Sequence, residues 1–105
     1  MIVSILMRKT RVSDRAQAEA LLASLMPRIK AVLERERGFV SVQYLCGADE
    51  EGQIGQITSW QTLEDCRHYV RQGGAAMVAT LEEAALPTAP FPDGAWVRKT
   101  FESVS

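Results

Sequence analysis

The stretch IGQITSWQTLEDCRHYV, residues 54–70, decides how the rest of the chain is read. Its first half alternates: Ile54, Gln56, Thr58 and Trp60 fall on one side, Gly55, Ile57 and Ser59 on the other, which is the period of a β-strand. Thr62 is a residue type that caps helix N-termini, and Asp65 would stand in the first turn, where a negative charge suits the helix dipole. The run therefore predicts a strand over 53–60 that ends in a tryptophan, then a helix over about 63–72 that Gly73-Gly74 terminates.

Working back from this stretch, Asp49-Glu50-Glu51-Gly52 reads as a hairpin turn, preceded by a strand over 39–46. Arg37-Gly38-Phe39 marks the junction between that strand and a long helix. The helix starts at Ser13-Asp14, with Gln17 three residues after Asp14 as in a capping box. Ala18, Leu21, Leu22, Leu25, Ile29 and Val32 recur at helical spacing, and Pro27 falls opposite this stripe. That pattern predicts one kinked helix over about 14–36, stopped by Gly38. Residues 2–12 form a first strand whose opening half is almost continuously apolar, as in a strand covered on both faces.

Working forward, residues 75–86 predict another helix with Met77, Leu81, Ala84 and Ala85 turned inward. A proline-rich loop over 87–94 cannot continue it. The last strand, 96–104, sets Trp96, Arg98, Thr100 and Glu102 against Val97, Lys99 and Phe101. The order β-α-β-β-α(α)-β is that of an α+β, ferredoxin-like antiparallel sheet with its helices on one face. The opposite face keeps apolar side chains, and packing two such sheets together in a homodimer would cover it.

The composition narrows the function classes. A chain of 105 residues suits one domain spanning 1–105, and 47% hydrophobic with 24% charged residues is a globular balance. A net charge of −1 offers no basic field for nucleic acid. Cys46 and Cys66 stand without a CxxC or Cys/His cluster, so neither a metal site nor a disulfide framework is expected, and both read as small buried hydrophobes in a reducing compartment. The N-terminal apolar run precedes its charges, Arg8-Lys9, the reverse of a signal peptide, and is too short to span a bilayer. A cytoplasmic protein with no membrane partner is the expectation.

In element order, in Arg37-Gly38-Phe39, and in Ser59-Trp60 followed by Gln61-Thr62-Leu63-Glu64-Asp65, the chain resembles the antibiotic biosynthesis monooxygenase family of dimeric α+β barrels over almost its whole length. The resemblance implies a pocket between sheet and helices that takes a hydrophobic, oxygenated ring compound. It also implies cofactor-free chemistry, in which the substrate's own phenolate or enolate passes an electron to oxygen. The protein then binds, desolvates and deprotonates. Haem degradation, another activity of the family, would call for a histidine on the helix after Gly73-Gly74 and an asparagine on the first strand. Residues 75–86 hold no histidine, Met7 stands near the second position, and the chain has no asparagine.

Within that frame Trp60, Trp96 and Tyr44 are the candidate aromatic lining, with a core anchor as the plainer role for Trp60. The resemblance places a histidine or aromatic nine residues past the tryptophan, and that offset lands on Tyr69. On the helical wheel Leu63, Cys66 and Val70 centre the apolar arc; Tyr69 lies at its edge and His68 points away, a surface histidine. Tyr69 is the candidate hydrogen-bond donor to a substrate oxygen, and Arg98 the candidate stabiliser of a phenolate or carboxylate. The plainer roles are an amphipathic rim residue and a strand-face arginine paired at the surface. Arg8, Lys9, Arg11 and Glu34–Arg37 read as solvated ends. No cofactor is called for. Because no general base stands out, a non-enzymatic dimeric module that binds a small ligand is the alternative, and a lactone isomerase a third.

Overall fold

The structure, a computed structural model, describes residues 1–104. Strand β1 (Ile2–Lys9) is central. It pairs antiparallel with β3 (Gln53–Trp60) on one side and β4 (Val97–Glu102) on the other, and β2 (Phe39–Cys46) pairs with β3, giving the order β2-β3-β1-β4. Helices α1 (Arg15–Leu33), α2 (Leu63–Arg71) and α3 (Ala75–Ala85) cover one face of this sheet. The fold is α+β and ferredoxin-like, as the element order predicts.

Asp14 caps α1 by accepting from the backbone N–H of Ala16 and Gln17. Pro27 lies inside a single helix on its exposed side, opposite the buried Ala18, Leu22, Leu25, Ile29 and Leu33. The proline therefore costs one backbone bond without breaking the buried stripe. The helix ends at Leu33, earlier than predicted, and Gly38 acts one turn later. Its φ of +75° is open to glycine at little cost, and the Asp65 side chain occupies the place a Cβ would take. Arg37 Nε donates to Asp65 Oδ1 at 2.8 Å, so the junction is tied to α2.

The strand rows aim the site. Tyr44, Gln56, Leu6 and Arg98 are successive neighbours across all four strands, and Val42, Thr58, Ser4 and Thr100 form the next row. Both rows face the helices. Strand β1 alternates: Ile2, Ser4, Leu6 and Arg8 are buried, whereas Val3, Ile5, Met7 and Lys9 are half-buried. The expectation that β1 is covered on both faces is corrected here, because every helix packs on the same side. Val3, Ile5, Met7, Leu45, Ile57, Val97 and Phe101 make the other face apolar, and nothing else in the described residues covers it.

Two helices are rotated from the faces their sequences suggest. On α2 Cys66 is buried and Val70 packs against the core as expected, but Tyr69 is buried as well and Leu63 is exposed. On α3 the expected Leu81 and Ala85 do pack against the core, but the fully buried residues are Val78 and Glu82, and Met77 and Ala84 are exposed. The Gly73-Gly74 link is the cause. Gly74 sits against Val32 of α1, and its N–H donates to Glu36 Oε1 at 3.0 Å, which fixes how α3 rolls onto the sheet and closes over Tyr69. Among the described residues no helix is long and apolar enough to cross a membrane.

Candidate functional site

The layer between sheet and helices is apolar at one end and polar at the other. At the apolar end Trp60 is fully buried, with Phe39 edge-on at a centroid distance of 5.7 Å and Tyr69 stacked at 4.7 Å. The indole N–H of Trp60 donates to Thr58 Oγ1 at 2.9 Å. Leu25, Ile29, Leu33, Cys66 and Val78 complete this cluster. The Tyr69 hydroxyl is buried with no hydrogen-bond partner among the described residues. Burial pushes its pKa up; Arg98 pulls it down, and Glu82 and Glu36 push it further up. Arg98 reaches in from β4, where its Nη1 donates to Ser4 Oγ at 2.7 Å.

At the polar end a charged pair is enclosed. Arg8 is only 3% exposed and Glu82 1%, with Arg8 Nη2 3.7 Å from Glu82 Oε1. Arg8 Nη1 donates to the Leu86 carbonyl at 2.7 Å and to Thr88 Oγ1 at 3.0 Å. Tyr44 donates its hydroxyl hydrogen to Glu82 Oε2 at 2.7 Å, and the Gln56 amide donates to the same carboxylate oxygen. Burial pushes the Glu82 carboxyl above its ordinary range, against the pull of Tyr44, Arg8 and Gln56. Burial likewise raises the Tyr44 hydroxyl, and Glu82 adds to the rise. A guanidinium keeps its charge throughout the ordinary pH range. Arg8 Nε, Arg8 Nη2 and Gln56 Oε1 are buried without hydrogen-bond partners among the described residues. Taking such groups out of water is costly, so a set of them in one place marks a locus that suits a bound water or ligand.

Trp96 closes the polar end. Its ring lies over the Arg8 guanidinium at 4.5 Å, and its N–H donates to Thr88 Oγ1 at 3.0 Å. It is 37% exposed and stands just before β4. On its outer side a surface cleft of about 660 Å³ is bounded by Trp96, Thr88, Glu83 and the outer face of α3. A second cleft of about 520 Å³ lies between the start of α1 and the β2–β3 turn, away from these groups.

Tyr44, Trp60, Tyr69 and Arg98 are thus brought into one interior layer, and Trp96 covers its polar end. Tyr69 is enclosed rather than placed at a rim, because α3 packs over it. His68 is half-buried on the far side of α2. Arg8, read as a solvated strand end, is instead buried, because the loop after α3 and Trp96 fold over it. Arg8, Gln56 and Glu82 are the functional candidates that sequence reasoning passed over. A signal for them existed: Ile2, Ser4, Leu6 and Arg8 alternate on one strand face, and Val78, Glu82 and Leu86 recur every four residues on one helix face. Among the described residues no three His, Cys, Asp or Glu side chains gather as a metal site would.

The same arrangement of sheet and helices recurs in solved structures. SnoaB from Streptomyces nogalater, a cofactor-independent oxygenase, superposes with a TM-score of 0.67 at 19% identity, over 99% of this chain and 93% of that one. This is the fold of the antibiotic biosynthesis monooxygenases. A protein provisionally named as one of them, from Bordetella bronchiseptica, gives a TM-score of 0.68 at 17% identity over 99% and 97% of the two chains. A Nitrosomonas europaea protein of unknown function shares the fold as well, at a TM-score of 0.64 and 14% identity over 99% and 89%. No family model and no curated protein matches the sequence.

Proposed function

We propose that this protein is a cytoplasmic, homodimeric, cofactor-independent monooxygenase of the antibiotic biosynthesis type, acting on a hydrophobic, oxygenated ring compound held between sheet and helices. The observation that carries the reading is the Tyr69 hydroxyl, enclosed without a partner above the Trp60 ring and within the field of Arg98. A phenolic oxygen of a substrate would take that unused hydrogen bond while its ring replaces packing against Trp60. Tyr69 then orients the substrate, Arg98 stabilises the developing anion, and Tyr44 and Trp96 border the polar end. The likeness to SnoaB supports the reaction class. The uncovered apolar face of β1, β3 and β4 supports the homodimer.

Oxygen uptake tests the reading, with quinols and polycyclic phenols as substrates at near-neutral pH. Tyr69→Phe is expected to cut turnover at least tenfold while the fold persists. Unchanged turnover would remove Tyr69 from the mechanism. A second reading, a ligand-binding module without chemistry, draws on a specific feature: the Trp60 N–H is already satisfied by Thr58 and the aromatic end of the layer is filled. Ligand retained with no oxygen consumed would favour that reading.

A further inference from the structure

The proposed reaction needs a group that takes a proton from the substrate, and His68 stands on the wrong side of α2 for that task. We infer that Glu82 is the general base: a phenolic or enolic hydroxyl seated among Arg8, Gln56 and Glu82 gives its proton to the Glu82 carboxylate. This inference rests on the monooxygenase reading for its biological purpose but not for its test.

Among the described residues Arg8 Nε and Nη2 donate no hydrogen bond, Nη2 lying 3.7 Å from Glu82 Oε1 as an ion pair, and Gln56 Oε1 accepts none. A ligand hydroxyl can accept from Arg8 while its one hydrogen turns either to Gln56 Oε1 on binding or to the Glu82 carboxylate on transfer, whereas an ammonium would meet Arg8 as a like charge. Proton transfer is balanced within the site. The ligand O–H bond breaks, an O–H bond forms on a Glu82 carboxyl oxygen, and the electron pair stays on the ligand oxygen. The negative charge that Arg8 faced on Glu82 then lies on the ligand oxygen, so the net charge of the Arg8–Glu82 locus is the same before and after transfer.

The surroundings suit a base of this kind. The groups that face Glu82 are Arg8 from β1, Tyr44 from β2 and Gln56 from β3, with Tyr69 of α2 within its field and Glu83 adjacent on α3, itself 3.6 Å from Arg8. Burial raises the Glu82 carboxyl above its ordinary range, which makes its carboxylate a stronger proton acceptor than an exposed one. Entry runs from the cleft beside Trp96, because Trp96 and Thr88 are the side chains between that cleft and Arg8.

The test reads ionisation instead of turnover. The intact protein is titrated with 4-nitrophenol, whose phenolate absorbs in the visible, at a pH where the free probe is mostly protonated. Bound probe is expected to show the phenolate band. Glu82→Gln is expected to abolish the band, whereas Glu64→Gln, an exposed control on α2, keeps it. In the unmutated protein, carbon NMR of glutamate labelled at the side-chain carboxyl should show one buried carboxylate becoming protonated as probe binds, and this holds even should Glu82→Gln fail to fold. Probe bound in its neutral form, an unchanged band in Glu82→Gln, a carboxylate that stays ionised, or no binding at all would each overturn the inference. Oxygen uptake stands apart: a protein that ionises the probe but consumes no oxygen keeps the inference and loses the monooxygenase reading.

Discussion

Replacing Tyr69 with Phe removes one oxygen and leaves the ring stacked on Trp60. For a buried tyrosine with a hydrogen-bonded hydroxyl, the loss is about 1 kcal/mol of stability. Here the hydroxyl belongs to a residue 1% exposed and has no hydrogen-bond partner among the described residues, so the sign reverses. Leaving a buried polar group unsatisfied costs about 1–3 kcal/mol, and the variant should recover the lower part of that range. One kcal/mol moves the midpoint by about 4–8 °C in a domain of this size. Differential scanning calorimetry should therefore find Tyr69→Phe more thermostable by several degrees, at the same time as its turnover falls. Tyr69→Leu serves as the contrast: it gives up the aromatic pair, worth about 0.5–1.5 kcal/mol beyond area, and should melt lower than either. A Tyr69→Phe variant destabilised by about 1 kcal/mol or more would refute the reasoning, since it would mean the hydroxyl already has a partner in the resting protein.

Three further outcomes follow from the same geometry. Arg8→Met should destabilise by about 3–5 kcal/mol, because it leaves the buried Glu82 without its cation, and Glu82→Gln by less, because Glu83 still faces Arg8 at 3.6 Å; the double variant should cost clearly less than their sum in a urea-denaturation cycle, and additive costs would show that the pair is not coupled. Since the folded protein holds the Glu82 carboxyl above its ordinary range, it binds more protons than the unfolded chain between the unfolded and folded values, so stability is full below that window and falls as pH rises through it. Urea midpoints followed upward in pH from the ordinary carboxylate range should show this fall, and Glu82→Gln should flatten it. On the open sheet face, Phe101→Glu places a charge where a second sheet would pack, and sedimentation equilibrium should show a dimer for the unmutated protein and a monomer for the variant; an unmutated monomer would end the dimer proposal.

How much could be read in advance differs between the fold and the site. The strand β3 with its terminal tryptophan, the turn at Gly52 and the long α1 with Pro27 on its outer side all carried local signals: period-two alternation, a turn cluster and a stripe at helical spacing. Those signals depend on neighbours within a few residues, which is why element order and architecture were legible. The polarity of the interior was not. Glu82 looks like a surface residue of an acidic pair with Glu83, and Arg8 like the charged end of a strand.

The sequence by itself determined which segments become strands and helices, in what order they follow, and that one sheet face would be left apolar. Tertiary structure alone decided the roll of α2 and α3, because that roll depends on Gly74 meeting Val32 and Glu36 across some forty residues of chain. From that roll came the enclosure of Tyr69, the inward turn of Glu82 and its meeting with Arg8, Tyr44 and Gln56. Periodicity shows which residues share a face of one element. Which face a neighbouring element then covers is settled by packing, where the burial of one side chain depends on the placement of all the others.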